Sequence, residues 1–233
     1  MPATSCSIYD VTLDTNLTEI ARRLEAQEIE QVIDTLGGPI RLRTYFSNFH
    51  IAEGVLHGTI AYETLIIIPQ IDARPVYNKS GKKLRFAFYP STHSYYLLCF
   101  ANRESSETTA KRINKGLRQA GLSAIDAVFN RYIPTAFIEN FLLQHQNHTL
   151  KVCGWKDLDY VGVNKSTLHG GDIDRFNGTQ QYDLHGSKSY IMVELHDLGL
   201  TVRISELGIF TFYGDTSSEQ ILHFLRNEIF PML

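Results

Sequence analysis

Apolar and polar positions along the chain fall into two rounds of a similar order. Residues 7–14 (SIYDVTLD) alternate loosely, as a short strand does. Asn16 offers an N-cap, and Glu19 three residues on completes a capping box. Leu17, Ile20, Leu24, Ile29, Val32, Ile33 and Leu36 form a helical stripe that predicts one helix up to the stop at Gly37-Gly38. Residues 40–49 and 58–68 read as strands, the second ended by Pro69. Residues 78–83 (NKSGKK) read as a turn and are the most basic stretch of the chain. Residues 84–89 and 95–100 are strands around a turn at 90–94, followed by a helix over 105–120 with Gly121 at its C-terminal stop.

The order then restarts. Residues 124–130 read as a strand. Pro134 stands where a first helical residue often does, ahead of the apolar face Phe137, Ile138, Phe141 and Leu142. Residues 152–163 are extended, and 164–188, rich in Gly, Asn, Asp and His, read as loop with at most one short strand. Strands are expected at 190–195, 200–205 and 209–213. Ser217 with Gln220 then makes a capping box for a helix with Ile221, Leu222, Leu225 and Ile229 on its apolar face, closed by Pro231. Ser105-Ser106-Glu107 aligns without gaps on Ser217-Ser218-Glu219, which places Phe100 on Phe212, Ile113 on Leu225 and Leu117 on Ile229. The helices are offset by 217 − 105 = 112 residues, and the strands opening at Ile8 and Ile125 by 125 − 8 = 117. Near-equal offsets at both ends predict an internal duplication, with halves at 1–122 and 123–233 joined in one compact unit. The fold class expected is α+β: antiparallel strands in one continuous curved sheet, helices on one face.

Composition narrows the function classes. The 233 residues, 43% hydrophobic and 20% charged, suffice for a packed core. No apolar run approaches the ~20 residues that span a bilayer, and residues 1–9 lack the basic-then-apolar order of a secretory signal. Cys6, Cys99 and Cys153 show no C-x-x-C spacing, so three reduced thiols in an intracellular protein (cytoplasm or nucleus) are expected, without a disulfide framework or cysteine zinc site. A net charge of −3 excludes a whole-molecule basic field but not a local patch.

The layout resembles the saddle of the TATA-binding protein family, on the repeated order strand, short helix, antiparallel strands, long helix. It also rests on the C-terminal run of Gly208, the strand at 209–213, Gly214, and the helix ending at Phe230-Pro231. The resemblance implies a non-catalytic protein of a DNA-associated or transcription-type assembly, with duplex DNA on the concave face and protein partners on the convex helices. At the positions matching the family's hydrogen-bond-donating asparagines stand Asp10 and Asp126, which cannot donate to groove acceptors. Ser205 and His93 fall near the family's wedge phenylalanines, and neither unstacks bases as a Phe wedge does. The alternative is therefore a protein-interaction scaffold that kept the saddle and lost DNA.

Candidate chemistry is concentrated in three places. Lys79, Lys82, Lys83 and Arg85, beside Phe86, Phe88, Tyr89, Tyr95 and Tyr96, form the candidate nucleic-acid site through phosphate contact and stacking. Lys111, Arg112, Lys115 and Arg118 on the first long helix form a candidate partner surface or a solvated face. Residues 168–186 hold His169, Asp172, Asp174, Asp183 and His185, a third reading as an enzyme or metal site, without a complete calcium loop, zinc signature or hydrolytic motif. No cofactor, metal or catalytic residue is expected on these grounds. Trp155 reads as a core anchor.

Overall fold

The computed structural model describes residues 3–70, 73–92, 94–160, 163–173 and 177–233. The architecture is α+β with a large antiparallel sheet. In chain order the elements are β1 (Ala3–Val11), α1 (Leu17–Glu25), β2 (Glu28–Thr35), β3 (Gly38–Ala52), β4 (Val55–Gln70), β5 (Ala73–Pro90), β6 (Tyr95–Phe100) and α2 (Arg103–Gln119). There follow β7 (Val128–Asn130), α3 (Thr135–Gln144), β8 (His148–Tyr160), β9 (Val163–His169), α4 (Asn177–His185), β10 (Ser187–Leu195), β11 (Leu200–Ser205), β12 (Ile209–Tyr213) and α5 (Ser218–Phe224). The last helix continues as a π-helical turn, Leu225–Ile229, and a 3-10 turn, Phe230–Met232. Among the described residues no helix is long and apolar enough to cross a membrane.

Contacts divide the chain into two compact units, Ile8–Phe129 and Met1–Ser7 with Asn130–Leu233, so that β1 contributes to both. In the first unit the strand order is β2-β3-β4-β5-β6-β1, with β2 through β6 pairing antiparallel in sequence. Ile20 and Leu24 of α1 and Ile113 and Leu117 of α2 share one cluster with Phe46, Ile60, Phe86, Phe88, Leu97 and Cys99. Both helices therefore cover the same face of these strands. Gly116 lets α2 approach closely, because a Cβ there would stand 2.8 Å from the Phe46 ring. In the second unit the order is β1-β12-β11-β10-β8-β9, with antiparallel pairs throughout. Phe224 of α5 packs edge-on against Phe212 of β12 and Phe141 of α3.

Several elements differ from those the pattern predicts. The apolar stripe over 17–36 is not one helix: α1 stops at Glu25, and Ile29, Val32 and Ile33 belong to β2. Their β-branched side chains suit a strand, where Ile29 is buried between exposed Glu28 and Glu30. Asn16 does cap α1 by accepting from the Glu19 N–H, but the Glu19 carboxylate is taken by Arg22 and Arg23 rather than by the cap backbone. The basic stretch 78–83 is not a turn. It lies inside β5, each residue opposite one of β4, in a register running unbroken from Leu56↔Phe88 to Ile68↔Val76. Residues 124–130 contribute only the three-residue β7. Pro134 caps α3 from outside, and the presumed loop contains both β9 and α4. The first long helix is capped by Asn102, three residues before Ser105. By contrast β11 and β12 and the Ser217–Gln220 capping box stand where the sequence places them. None of the three cysteines is in a disulfide, and all three are buried.

Candidate cationic face

Strand alternation sorts the predicted cations. On β5, Phe86 and Phe88 point into the core under α1 and α2. Lys82 shares their parity and donates to Ser105 Oγ at the start of α2, 3.4 Å away. Lys79, Lys83 and Arg85 have the opposite parity and lie together on the face away from the helices, all exposed. The structure thus brings three of the four together and sets Lys82 apart. Of the neighbouring aromatics, Phe86 and Phe88 are 0% exposed and Tyr96 is 7% exposed, which closes them to stacking, while half-buried Tyr89 has the parity of Lys83 and Arg85. Tyr95 is fastened by its hydroxyl to the carbonyl of Thr15.

Cross-strand register adds residues that the linear sequence kept apart. Lys83 lies opposite Ala61, and Ala61 opposite Tyr45, so Arg41 and Arg43 of β3 are on this same face. Their alternation around Leu42 in IRLRTYF is the signal that could have found them. These arginines are partly neutralised: Arg41 pairs with Glu30 at 3.3 Å and Arg43 with Glu28 at 3.6 Å. Lys79 pairs with Glu63 at 3.4 Å. The Arg43 N–H donates to the Glu63 carboxylate, and with Lys79 it holds that carboxyl below its usual range. Lys83 and Arg85 have no ion-pair partner among the described residues, so their charge is free for a polyanion. The cationic part of the face ends at β6. Beyond Arg85, the pair Ala87↔Leu98 is 0% exposed on both sides.

The candidate patch on α2 is dispersed. Lys111 and Lys115 are exposed, one helical turn apart. Arg118 lies 3.4 Å from Asp126. Arg112 turns inward, where its guanidinium donates to Thr44 Oγ1 and to the carbonyl of Glu63 (3.2 Å) and rests 4.6 Å over the Tyr62 ring. Burial there lowers its pKa from the ordinary arginine value. Asp126 accepts from Asn114 Nδ2, while Asn114 Oδ1 accepts the N–H groups of Ala127 and Val128 and positions the entry to β7.

The His/Asp-rich stretch is drawn into structure. Asp183 of α4 accepts from Trp155 Nε1 at 2.7 Å and pairs at 2.5 Å with Lys188, whose side chain is 8% exposed. Trp155 is thus a core anchor with its N–H satisfied. His169 ends β9 and His185 ends α4. Asp174 and His93 lie outside the described residues. Among the described residues no group of three or more His, Cys, Asp or Glu side chains is arranged to hold a metal ion.

No protein-family model matches this chain, and no curated protein matches it at a meaningful level of similarity.

Proposed function

We propose that this chain is a non-catalytic binding protein of a DNA-associated assembly, and that it holds duplex DNA by phosphate contacts from the outer part of β5 rather than by wedges in the minor groove. The observation that carries the reading is the pair Lys83 and Arg85, exposed on one face without ion-pair partners among the described residues, with Lys79 beside them. Phosphate contacts supply most non-specific affinity for a duplex, and they need no more than exposed cations in register with the strand.

The scaffold proposed is the two-half plan of the TATA-binding protein family. Each unit contains antiparallel strands, a helix early (α1, α3) and a side-chain-capped helix near its end (α2, α5), with α4 as an addition in the second. Ile113 and Leu225, and Leu117 and Ile229, are each 0% exposed, so the two final helices bury matching positions. The gapless alignment does not extend across the preceding strand, where Phe212 is 0% exposed while Phe100 is half-buried. The caps Asn102 and Ser217 are 217 − 102 = 115 apart, closer to the offset of the opening strands. The two final helices therefore match at their buried face with an offset of 112 and at their caps with an offset of 115, the second cap standing three residues closer to its buried face.

The test is fluorescence anisotropy with a labelled duplex at low salt. The wild type is expected to bind, and Lys79→Gln/Lys83→Gln/Arg85→Gln to bind at least about tenfold more weakly. Absence of DNA affinity in the wild type would overturn the reading and leave the protein-interaction scaffold in its place.

A further inference from the structure

An exposed aromatic ring stands among the cations of the outer face. Tyr45 of β3 is 39% exposed. It lies opposite Ala61 of β4, and Ala61 opposite Lys83 of β5, so the three side chains form one row on the same side of three strands. Arg85 belongs to the next row, opposite Thr59. With strands spaced by roughly 4.8 Å, the backbones of Tyr45 and Lys83 are about 10 Å apart, and the Ala61 methyl fills little of the space between their side chains. Gly81 adds no side chain in the row beyond, where a Cβ would meet nothing within 4 Å. The ring is held from the other side. Its hydroxyl accepts from Arg43 Nη1 at 3.3 Å, and Arg43 pairs at 3.6 Å with Glu28 of β2, the strand on the far side of β3 from Ala61. The open approach to the ring therefore lies over Ala61, toward Lys83.

These features select the occupant. Lys79 to Arg85 is 85 − 79 = 6 residue steps of extended strand, about 20 Å, which suits a chain of phosphates rather than one nucleotide. In a closed duplex the base faces are stacked on one another and cannot meet a ring on a sheet. In a single strand they turn outward, and aromatic rings beside a line of cations hold them with little regard to sequence, because every base has a π-face. An acidic peptide matches the charge but leaves the ring without a partner. Resting on the phosphate contacts proposed above, we propose that this face holds unpaired nucleic acid, a single strand or an opened stretch of duplex, with a base stacked on Tyr45 and the flanking phosphates on Lys83 and Arg85.

Tyr45→Leu removes the ring and keeps an apolar side chain, while Tyr45→Phe keeps the ring and removes the hydroxyl. In anisotropy titrations at low salt, labelled thymidine and uridine oligomers are expected to bind the wild type at least about fivefold more tightly than a closed duplex of the same length. Tyr45→Leu is expected to lose that preference at unchanged unfolding temperature and unchanged duplex affinity, and Tyr45→Phe to keep it. The tighter of the two oligomers identifies DNA or RNA as the source of the strand. Duplex bound as tightly as the oligomers, a preference surviving in Tyr45→Leu, or its loss in Tyr45→Phe as well would overturn the stacking site while leaving duplex binding standing. Binding of the oligomers alone would overturn the duplex reading and keep the stacking site. No affinity for any of the three would overturn both.

Discussion

Arg112 shows how a cation that reads as surface becomes structural. Its guanidinium satisfies a backbone carbonyl and a fully buried threonine hydroxyl at the point where two strands separate. Arg112→Leu keeps much of the packing over Tyr62 and removes the donors. It is expected to lower unfolding free energy by about 1–3 kcal/mol, the cost of leaving buried acceptors unmade, measured by urea titration. Asp183 pairs with Lys188. The pair is closed on the lysine side and open on the Asp183 side, so its loss in Asp183→Ala is expected to cost about 1–3 kcal/mol, seen as a fall in urea midpoint at unchanged slope. A loss under about 1 kcal/mol would mean that Glu139, 3.7 Å from Lys188, replaces Asp183 in full.

At the scale of elements, the close approach of α2 to the sheet depends on Gly116. Alanine is the better helix former by about 1 kcal/mol, yet its Cβ would meet Phe46 and, at 3.1 Å, Leu24. Overpacking is expected to win, with Gly116→Ala destabilising by about 1–3 kcal/mol in thermal or urea unfolding. The elements legible in sequence were those whose local signals agree: β11 and β12, bounded by turns at Gly199 and Gly208, and the Ser217–Gln220 box. Where local signals disagree, long-range pairing decides. The stripe through Ile29, Val32 and Ile33 has helical spacing, but those residues pair with β3. NKSGKK has the composition of a turn, but residues 61–66 opposite it hold it in a ladder. Helix α4 lacks an apolar stripe and opens on Asn-Gly, so periodicity gave no sign of it. The candidate site was legible in the same measure. Lys79, Lys83 and Arg85 follow from the sequence, whereas the separation of Lys82 and the joining of Arg41 and Arg43 need the register.

For the whole molecule, an acidic chain keeps its positive charge local. The face opposite α1 and α2 is cationic along the outer reach of β3 and β5 and closed where β5 meets β6, with Leu98 at 0% exposure. Affinity that comes from a few cations should carry a small, countable salt dependence, not the steep one of a wholly basic surface. The most direct test of the central claim is the slope of log K against log salt concentration for duplex DNA, wild type against Lys79→Gln/Lys83→Gln/Arg85→Gln. Each lost phosphate contact removes about 0.9 from the slope, so the variant should be shallower by about 2.7. Parallel slopes for the two proteins, or a wild-type affinity indifferent to salt, would contradict the claim that these three side chains hold the backbone.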